Sequence, residues 1–431
     1  DFSTLRQIEA HLIGAHLMSD SVSDVPASRS DESRLCVSID GSSALLPSSA
    51  SLLRSSSCAL MCGYDAIVQV PVARWDVCAQ PVSPPPIASR VRHMGLVPDA
   101  ELADNAAFAI SAAEVAAMDP CQRLLLLELG YASLHTAGMT RTKLGGSLTG
   151  VFLGFSGAEF AQVLAASPAG GSVYAATGSS SSIASGRLSY VLGLHGPCAS
   201  YDTACSAALV AGHAGLRALQ LSECATGLVV AASLILVPSA GTSYAVAGMT
   251  SPRGRSHTFD NRADGYARGE VCGGVAVSRA VAGELYSLNG SAVRQDGRSA
   301  SLTAPNGQAQ QGLIVAALYD GGTSALAMAL NEAHGTGTAL GDPIEAGSLV
   351  AAMLAPRGGV PLAVGGVKAN IGHAEPAAGM TGLIKLALSL RVGEAAPNAQ
   401  LRQLNPLVGG ALARCAGACA LPLQLATARG R

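Results

Sequence analysis

The chain has 431 residues, of which 49% are hydrophobic and 13% are charged, and its formal net charge is −2. This length supports one large or two medium domains with a real hydrophobic core, and the small net charge gives no electrostatic reason to expect binding to nucleic acid or to an anionic membrane. No apolar run reaches the roughly 20 residues that a membrane-spanning helix requires.

Eleven cysteines are present, and two pairs, Cys58/Cys62 and Cys415/Cys419, are spaced four residues apart. No histidine pair completes a zinc site with either of them, so we predict no metal and expect free thiols. Residues 1–20 lack the basic start and apolar middle of a signal peptide. We therefore expect an intracellular, reducing compartment, either the cytoplasm or a plastid.

The N-terminal stretch 1–33 is polar, irregular and rich in Ser and Asp, and we interpret it as a linker or appendage. Residues 34–39 are predicted to form the first strand. The serine-rich stretch 42–57 is predicted to be weakly structured, and the proline-rich stretch 81–86 to be a surface loop.

From residue 108 onward, the hydrophobic pattern predicts alternating helices and strands. Helices are predicted at 113–134, 180–192 and 206–221, strands at 151–155, 198–203 and 227–237, and further elements at 313–319, 362–367 and 380–390. The strand at 227–237 is apolar on both faces, which is typical of the middle of a covered sheet. The alternation indicates a layered α/β protein.

A cysteine lies between a predicted strand and a predicted helix in the sequence Tyr-Asp-Thr-Ala-Cys-Ser-Ala-Ala-Leu, residues 201–209. In this place the backbone N–H groups and the positive end of the helix dipole would point at the sulfur of Cys205 and favour its thiolate form. Buried structural cysteines are common, however, and this motif alone would leave that interpretation ahead.

The sequence Glu-Ala-His-Gly-Thr-Gly-Thr, residues 332–338, places a histidine in a glycine-rich loop, and Gly-Asp-Pro-Ile-Glu follows at 341–345. Two threonines and two carboxylates near a loop histidine can bind a polar ligand and orient an imidazole. The candidate residues of this block are His334, Thr336, Thr338, Asp342 and Glu345.

A third block, Gly-Val-Lys-Ala-Asn-Ile-Gly-His at residues 366–373, leaves an apolar stretch and ends at a second histidine, His373. Lys368 directly follows the core of a predicted strand. A buried and partnered role is therefore favoured over that of a solvated surface charge.

One nucleophilic cysteine with two loop histidines suits thioester chemistry. The cysteine would hold an acyl group, and the histidines would donate hydrogen bonds to a carbonyl oxygen that becomes an enolate. Cysteine protease chemistry is the first competitor, since it needs one histidine with an Asn or Asp that orients it.

The blocks 202–206, 332–338 and 368–373 resemble the three active-site motifs of β-ketoacyl synthases, in the same order and at similar separations. The resemblance is strongest to ketosynthase domains of modular polyketide synthases, which belong to the thiolase-like superfamily. It covers roughly residues 34–425. Further matching stretches are residues 63–67, 74–76, 118–123, 184–190, 264–270 and 295–307.

The resemblance implies an α/β, thiolase-like fold with two similar halves in a five-layer αβαβα arrangement. Residues 34–285 would form the N-terminal half, which carries Cys205, and residues 286–431 the C-terminal half, which carries both histidines. A homodimer is expected, formed through the first half. The apolar stretch 151–160 supports this expectation, since both of its faces need cover.

The resemblance also implies the reaction, a decarboxylative Claisen condensation in polyketide or fatty acid synthesis. Cys205 would take the acyl chain from a thioester on the phosphopantetheine of an acyl carrier protein or of CoA, and no cofactor would be bound. His334 and His373 would assist decarboxylation of a malonyl-type extender and stabilise its enolate.

The remaining site residues would have supporting roles. Lys368 would orient and polarise the histidines, with Glu345 as its partner and Asp342 as a further supporting carboxylate. Thr336 and Thr338 would hydrogen-bond the phosphopantetheine arm.

The resembling family normally continues into a strand and a glycine-rich turn with a Phe, which supplies one of two oxyanion-hole N–H groups. The sequence is expected to be cut short at Arg431, before that motif. A non-catalytic, ketosynthase-derived subunit of a larger assembly is therefore the first alternative, against which the intact Cys–His–His set argues. A thiolase is the second alternative, but Cys415 and Cys419 lack the glycine-rich context of its second cysteine.

Overall fold

The computed structural model describes residues 36–47, 61–77, 84–100, 102–156, 158–279, 287–415 and 417–427. The predicted appendage at 1–33 and the predicted boundary between the two halves at 285/286 lie outside these residues. None of the described helices is both long enough and apolar enough to cross a membrane.

The described residues form fourteen strands. These are β1 Val37–Leu45, β2 Ile67–Gln69, β3 His93–Gly95, β4 Thr149–Phe155, β5 Cys198–Tyr201, β6 Thr226–Ser233, β7 Arg268–Gly269, β8 Val271–Arg279, β9 Ser287–Leu288, β10 Leu330–Glu332, β11 Leu362–Gly365, β12 Glu394–Ala395, β13 Cys419–Ala420 and β14 Ala426–Thr427.

The α-helices in the described residues are α1 Pro85–Arg90, α2 Ala112–Ala116, α3 Gly130–Thr136, α4 Arg141–Leu144, α5 Ala158–Ala165, α6 Ala175–Gly178, α7 Ser181–Leu192, α8 Ala207–Gln220, α9 Pro238–Val246, α10 Gly307–Asp320, α11 Gly341–Leu349, α12 Lys368–Ile371, α13 Ala378–Val392 and α14 Pro406–Leu412. Two π-helical segments span Cys121–Leu129 and Val350–Leu354. Single 3₁₀ turns lie at Ala106–Phe108, Pro168–Gly171, Ala204–Ser206, Ala325–Ala327, Ala355–Arg357, Glu375–Ala377 and Ala413–Cys415.

The larger sheet has six strands in the spatial order β5-β4-β6-β8-β1-β9. β4 runs parallel to β5 and β6, and the other neighbours are antiparallel. Every residue of β4 is buried, whereas β5 lies at the edge of the sheet with Cys198 exposed and its other residues half-buried.

Helices cover both faces of this sheet, because alternate residues of each strand point to opposite sides. Leu153 of β4 packs in the core on one face together with Leu188 of α7. Phe152 packs in the core on the other face together with Leu219 of α8. Full burial of a side chain of this size stabilises the fold by about 1.5–3 kcal/mol.

The smaller sheet is parallel, in the order β10-β11-β13. Helix α13 lies between the two sheets, since it contacts β8 and α8 on one side and β10 on the other. Leu362 and Val364 of β11 pack on the far face in a core cluster with Leu349 of α11 and Val408 of α14. The layers therefore follow the order helix, sheet, helix, sheet, helix, which confirms the predicted five-layer αβαβα arrangement.

Helix α8 approaches β4 closely because the contact is made of small residues. A Cβ atom on Gly154 of β4 would lie 2.6 Å from the backbone nitrogen of Ala208, and one on Gly215 of α8 would lie 3.1 Å from the ring of Phe152. The sequence of small residues that follows Cys205 thus sets the depth at which α8 lies on the sheet.

Most of the predicted elements are observed with small shifts at their ends. The strand predicted at 151–155 is β4, and the helices predicted at 180–192 and 206–221 are α7 and α8. The elements predicted at 313–319, 362–367 and 380–390 correspond to α10, β11 and α13. The strand predicted at 198–203 ends at Tyr201 as β5.

The strand predicted at 227–237 is β6, and it ends earlier, at Ser233. The following N–H groups of Leu236 and Val237 donate to one carboxylate oxygen of Glu159, at 2.8 and 3.1 Å. A side chain, rather than a neighbouring strand, satisfies these two donors.

The helix predicted at 113–134 is divided, because α2 ends at Ala116 and the next helical segment begins at Cys121. Pro120 explains the break, since proline has no N–H group and disfavours a helical conformation in the residue before it. The Asp119 side chain accepts a hydrogen bond from the Cys121 N–H at 2.8 Å and so starts the next segment.

Two predicted loops are partly wrong. Residues 42–45 belong to β1, where the Ser43 hydroxyl donates to the Leu129 carbonyl at 2.6 Å and is thereby tolerated in a buried strand. Pro85 and Pro86 begin α1, because the first turn of a helix does not use the N–H groups that proline lacks. Residues 48–57 and 81–83 lie outside the described residues.

Candidate active site

Cys205 lies in a tight turn between β5 and α8. The turn Ala204–Ser206 is 3₁₀-helical, and Ala204 has a left-handed conformation with a φ of 52°. This conformation is uncommon outside glycine and persists where the surrounding structure imposes it. The Ser206 hydroxyl donates to the Thr203 carbonyl at 2.9 Å. The cysteine therefore precedes the N-terminus of a 14-residue helix, as the sequence predicts.

His373 is held beside the cysteine by its own main chain. Its N–H donates to the Ala267 carbonyl at 2.7 Å, and its carbonyl accepts from the Gly269 N–H at 2.9 Å. Gly372 makes this approach possible, because its φ is 83° and a Cβ atom there would lie 2.7 Å from a carbonyl oxygen of β7. The His373 residue is only 1% exposed, and its Nε2 lies 3.0 Å from Cys205 Sγ.

His334 comes from the glycine-rich loop between β10 and α11. Gly335 and Gly337 have φ values of 48° and 77°, which glycine adopts at little cost. The His334 ring lies 5.5 Å from the His373 ring, centroid to centroid, at an interplanar angle of 89°. Cys205 and the two histidines thus converge from three separate segments of the chain.

Two carboxylates of α11 hold this loop. Glu345 accepts hydrogen bonds from the N–H groups of His334 at 2.6 Å and Gly335 at 2.8 Å. Asp342 is fully buried and accepts from the N–H groups of residues 337 and 338, at 3.0 and 3.3 Å, and of Phe259 at 2.8 Å. Burial raises the pKa of Asp342 to about 6, although these donors oppose the shift. Both supporting carboxylates therefore act on the backbone of the histidine loop.

Lys368 begins α12 and is 4% exposed. Burial lowers its pKa, and the carboxylates of Glu332 and Glu345 offset part of that effect. Within the described part of the chain there is no ion pair between Lys368 and its predicted partner Glu345, whose oxygens bind loop N–H groups instead. Glu332 accepts from the Lys385 ammonium at 2.7 Å and from the Val367 N–H. Glu345 therefore acts on Lys368 through its nearby negative charge and does not form an ion pair with it.

The two predicted threonines lie in the same loop. Their hydroxyl oxygens, Thr336 Oγ1 and Thr338 Oγ1, are 3.3 Å apart, and Thr338 Oγ1 also accepts from the Gly341 N–H at 3.2 Å. Thr336 is buried and Thr338 is half-buried. The structure places both beside His334, and their contact with a pantetheine arm stays a prediction.

The protonation state of Cys205 differs from the sequence-based expectation of a thiolate. Burial and the charge of Glu375 raise the pKa of the thiol, while the Lys368 ammonium and a hydrogen bond from the backbone N–H of Cys205 itself lower it by less. At neutral pH the resting side chain is therefore a thiol.

Both histidines are neutral at physiological pH. Burial, followed by the charge of Lys368, lowers the pKa of each of them, although His334 keeps an exposed side toward solvent. His373 Nδ1 is buried without a hydrogen-bond partner in the described residues. An unpaired acceptor at a buried nitrogen costs less free energy than an unpaired N–H donor. We therefore assign the proton to Nε2, which faces Cys205.

Three residues at the site, Arg268, Glu375 and Tyr266, have no role in the sequence-based interpretation. Arg268 donates from Nε to Glu375 at 2.8 Å, and the Tyr266 ring packs edge-on against the His373 ring with centroids 5.0 Å apart. Arg268 and Tyr266 lie in the matching stretch 264–270. The sequence of that stretch does not single out Arg268 or Tyr266, because the burial of the arginine and the contact of the tyrosine with His373 are properties of the folded chain.

Two family models together match most of the described residues. The family model "Beta-ketoacyl synthase, N-terminal domain" matches residues 36–282, and "Beta-ketoacyl synthase, C-terminal domain" matches residues 285–402.

Curated relatives are components of polyketide synthases. The chain is 41% identical over 365 residues to a component of the phenolphthiocerol/phthiocerol polyketide synthase of Mycobacterium tuberculosis, covering 82% of this chain and 23% of that protein. It is 42% identical over 359 residues to the spectinabilin polyketide synthase system protein NorC of Streptomyces orinoci, covering 81% and 16%. The chain thus spans less than a quarter of the length of these relatives.

Solved structures of ketosynthases superimpose closely. The ketosynthase from module 6 of the bacillaene synthase from Bacillus subtilis 168 matches with a TM-score of 0.83 and 30% identity, over 91% of this chain and 67% of that one. The oxazolomycin ketosynthase domain of Streptomyces albus JA3453 matches with a TM-score of 0.83 and 31% identity, over 92% and 69%. These findings confirm the thiolase-like fold and show that the chain belongs to the β-ketoacyl synthase family, as a ketosynthase domain of the modular polyketide synthase type.

Proposed function

We propose that this chain catalyses the decarboxylative Claisen condensation of an acyl thioester with a malonyl-type extender in polyketide synthesis. The observation that carries the proposal is the 3.0 Å separation between Cys205 Sγ and His373 Nε2, with the His334 ring 5.5 Å from the His373 ring. A cysteine protease would pair its histidine with an orienting Asn or Asp. Here the second group beside His373 is another imidazole.

In the first half-reaction, Cys205 takes up the acyl chain. Its sulfur attacks the thioester carbonyl carbon, the C–S bond to the carrier breaks, and the proton of the thiol ends on the departing sulfur. The hydrogen bond between the thiol and His373 orients the attacking sulfur.

In the second half-reaction, the extender loses CO2 and its C–C bonding electrons form an enolate. The enolate oxygen accepts hydrogen bonds from the neutral N–H groups of His334 and His373, and the buried charge of Lys368 further stabilises the developing negative charge. The enolate carbon then attacks the acyl carbonyl carbon on Cys205, the C–S bond breaks, and the released thiolate takes up a proton from solvent. Loss of one donor to a developing oxyanion typically lowers the rate about 10²- to 10³-fold.

We also propose that the substrates arrive on the phosphopantetheine of an acyl carrier protein or of CoA, with Thr336 and Thr338 hydrogen-bonding the arm. Support comes from the position of both threonines beside His334 and from relatives that are components of polyketide synthases. The nine described cysteines are free, which supports a reducing compartment, in the cytoplasm or a plastid.

A homodimer remains part of the proposal, with a revised reason. The stretch 151–155 is β4, which lies inside the sheet and is already covered on both faces, so it needs no partner chain. β5 is the exposed edge instead, and it leads directly to the Cys205 turn. Edge strands of two copies can pair about a two-fold axis. Sedimentation of the complete protein at low concentration tests this, and a monomer that still condenses acyl units would contradict it.

Mass spectrometry after incubation with an acyl thioester tests the condensation proposal. We expect one acyl group on Cys205, none on Cys205→Ser, and release of CO2 from a malonyl thioester by the unmodified protein. A chain that takes up no acyl group and releases no CO2, alone or in its complete protein, would instead support the non-catalytic alternative.

A further inference from the structure

A buried arginine, Arg268, lies in β7, and its backbone pairs with that of His373. The Arg268 side chain is 4% exposed, and its guanidinium donates to two carboxylates, Glu375 and Glu159, each at 2.8 Å. Its remaining nitrogen, Nη1, is buried without a hydrogen-bond partner in the described residues. The guanidinium carbon lies 5.1 Å from the ring centroid of Tyr244.

These contacts tie the His373 turn to the segments that follow β4 and β6. Glu375 follows His373 by two residues and has a left-handed φ of 44°, a conformation that non-glycine residues adopt only when the surroundings impose it. Glu159 lies in the first turn of α5, the helix that follows β4, and its second carboxylate oxygen accepts from the N–H groups of Leu236 and Val237, beyond the end of β6. The backbone of Arg268 lies between the two residues that hydrogen-bond to His373.

Stability alone does not account for such an arrangement. A buried ion pair is weak evidence of stabilisation, since apolar residues of similar volume often serve the fold equally well. Here the cluster of three charged groups includes Glu375, whose negative charge acts on the sulfur of Cys205 and raises the energy of its thiolate. The negative charge of Glu375 acts on Cys205, and Arg268 is the cation that faces Glu375.

We propose that Arg268 is a positioning residue for the condensation, which neutralises Glu375 beside Cys205 and fixes the His373 turn against the ends of β4 and β6. The inference rests on the proposed function, because it concerns the reactivity of the same cysteine.

The groups that face Cys205 come from several elements. Glu375 raises the energy of its thiolate, Lys368 lowers it, and His373 supplies a neutral ring nitrogen at 3.0 Å. Tyr266 packs against that ring and is held in its neutral form by burial. Removal of the Arg268 charge thus leaves Glu375 opposed at Cys205 mainly by Lys368.

The test is the pH dependence of Cys205 alkylation by iodoacetamide, followed at that site by mass spectrometry on the complete protein. Arg268→Gln leaves Glu375 unneutralised, so the profile should move to higher pH and the rate at pH 7 should fall by roughly threefold or more. Glu375→Gln removes the negative charge, so the profile should move to lower pH and the rate at pH 7 should rise. The double variant should return close to the original profile.

Arg187→Gln is the matched control, since Arg187 is also buried, at 7% exposed, and forms an ion pair with Glu114. If Arg268 has a purely structural role, Arg268→Gln and Glu375→Gln should lower stability and leave the pH profile of Cys205 alkylation in place, and that result would overturn the proposal. A shift of the alkylation profile in the same direction in Arg268→Gln and Glu375→Gln would also overturn it.

If Arg268→Gln shows no cooperative unfolding, the comparison of Glu375→Gln with the double variant still decides. The alkylation profile of Glu375→Gln must move to lower pH, and the profile of the double variant must return toward that of the protein with both native residues. Failure of the condensation proposal would be seen separately, as an unmodified protein that takes up no acyl group.

Discussion

The role of Glu345 is the prediction that the geometry specifies best. Its carboxylate accepts the N–H groups of His334 and Gly335 at 2.6 and 2.8 Å. A hydrogen bond to a charged acceptor contributes about 1.5–3 kcal/mol, so Glu345→Ala removes at most roughly 3–6 kcal/mol and leaves two loop donors unpaired. We expect lower stability and a displaced His334 ring.

The two half-reactions should respond differently to this change. His334 is assigned only to the enolate step, so acylation of Cys205 should stay within about twofold, whereas CO2 release should fall at least about tenfold, equivalent to roughly 1.4 kcal/mol of lost transition-state stabilisation. Acylation is measured by mass spectrometry and decarboxylation by release of labelled CO2 from a malonyl thioester.

Asp320→Ala provides a matched control for Glu345→Ala. Asp320 also accepts a backbone N–H, that of Ser291 at 2.9 Å, and pairs with Arg217 away from the site. Asp320→Ala should lower the unfolding temperature, and the rates of acylation and of CO2 release should not change relative to each other. Equal loss of acylation and decarboxylation in Glu345→Ala would refute the reasoning, because it would show that the loop matters only for folding.

Three further predictions concern the nucleophile and its neighbours. Gly154→Ala should lower stability by about 1–3 kcal/mol and slow acylation, because the added Cβ atom would press on Ala208 and displace the helix that follows Cys205. Thermal unfolding and acylation kinetics check this prediction. An unchanged unfolding temperature and acylation rate would contradict the close packing. Alkylation of Cys205 should rise with pH beyond the ordinary thiol pKa of about 8.5, since burial and Glu375 raise the pKa; a plateau reached below pH 7 would contradict this. His373→Ala should impair CO2 release more than acylation and Lys368→Ala should cause partial loss, whereas equal loss of both steps in His373→Ala would make that histidine structural.

The local sequence was sufficient for the elements that carry the site. A run of small residues after Cys205 predicts a helix that can lie close to a sheet, and α8 lies there. The glycines around His334 predict a loop, and their positive φ values explain why glycine is needed. The break at Pro120 is not predicted, although proline is a local signal, because the dense leucines at 124–129 favour one helix over the whole range 113–134.

Sequence alone predicts the reactive set, since Cys205, His334 and His373 lie in three recognisable blocks. The electrostatics of these residues depend on how the chain packs. Burial makes Cys205 a thiol, whereas a helix terminus considered alone predicts a thiolate. The partners of Arg268 are more than 100 residues away along the chain. Burial and contacts between distant segments arise only when the layers pack, and local sequence patterns therefore carry no record of them.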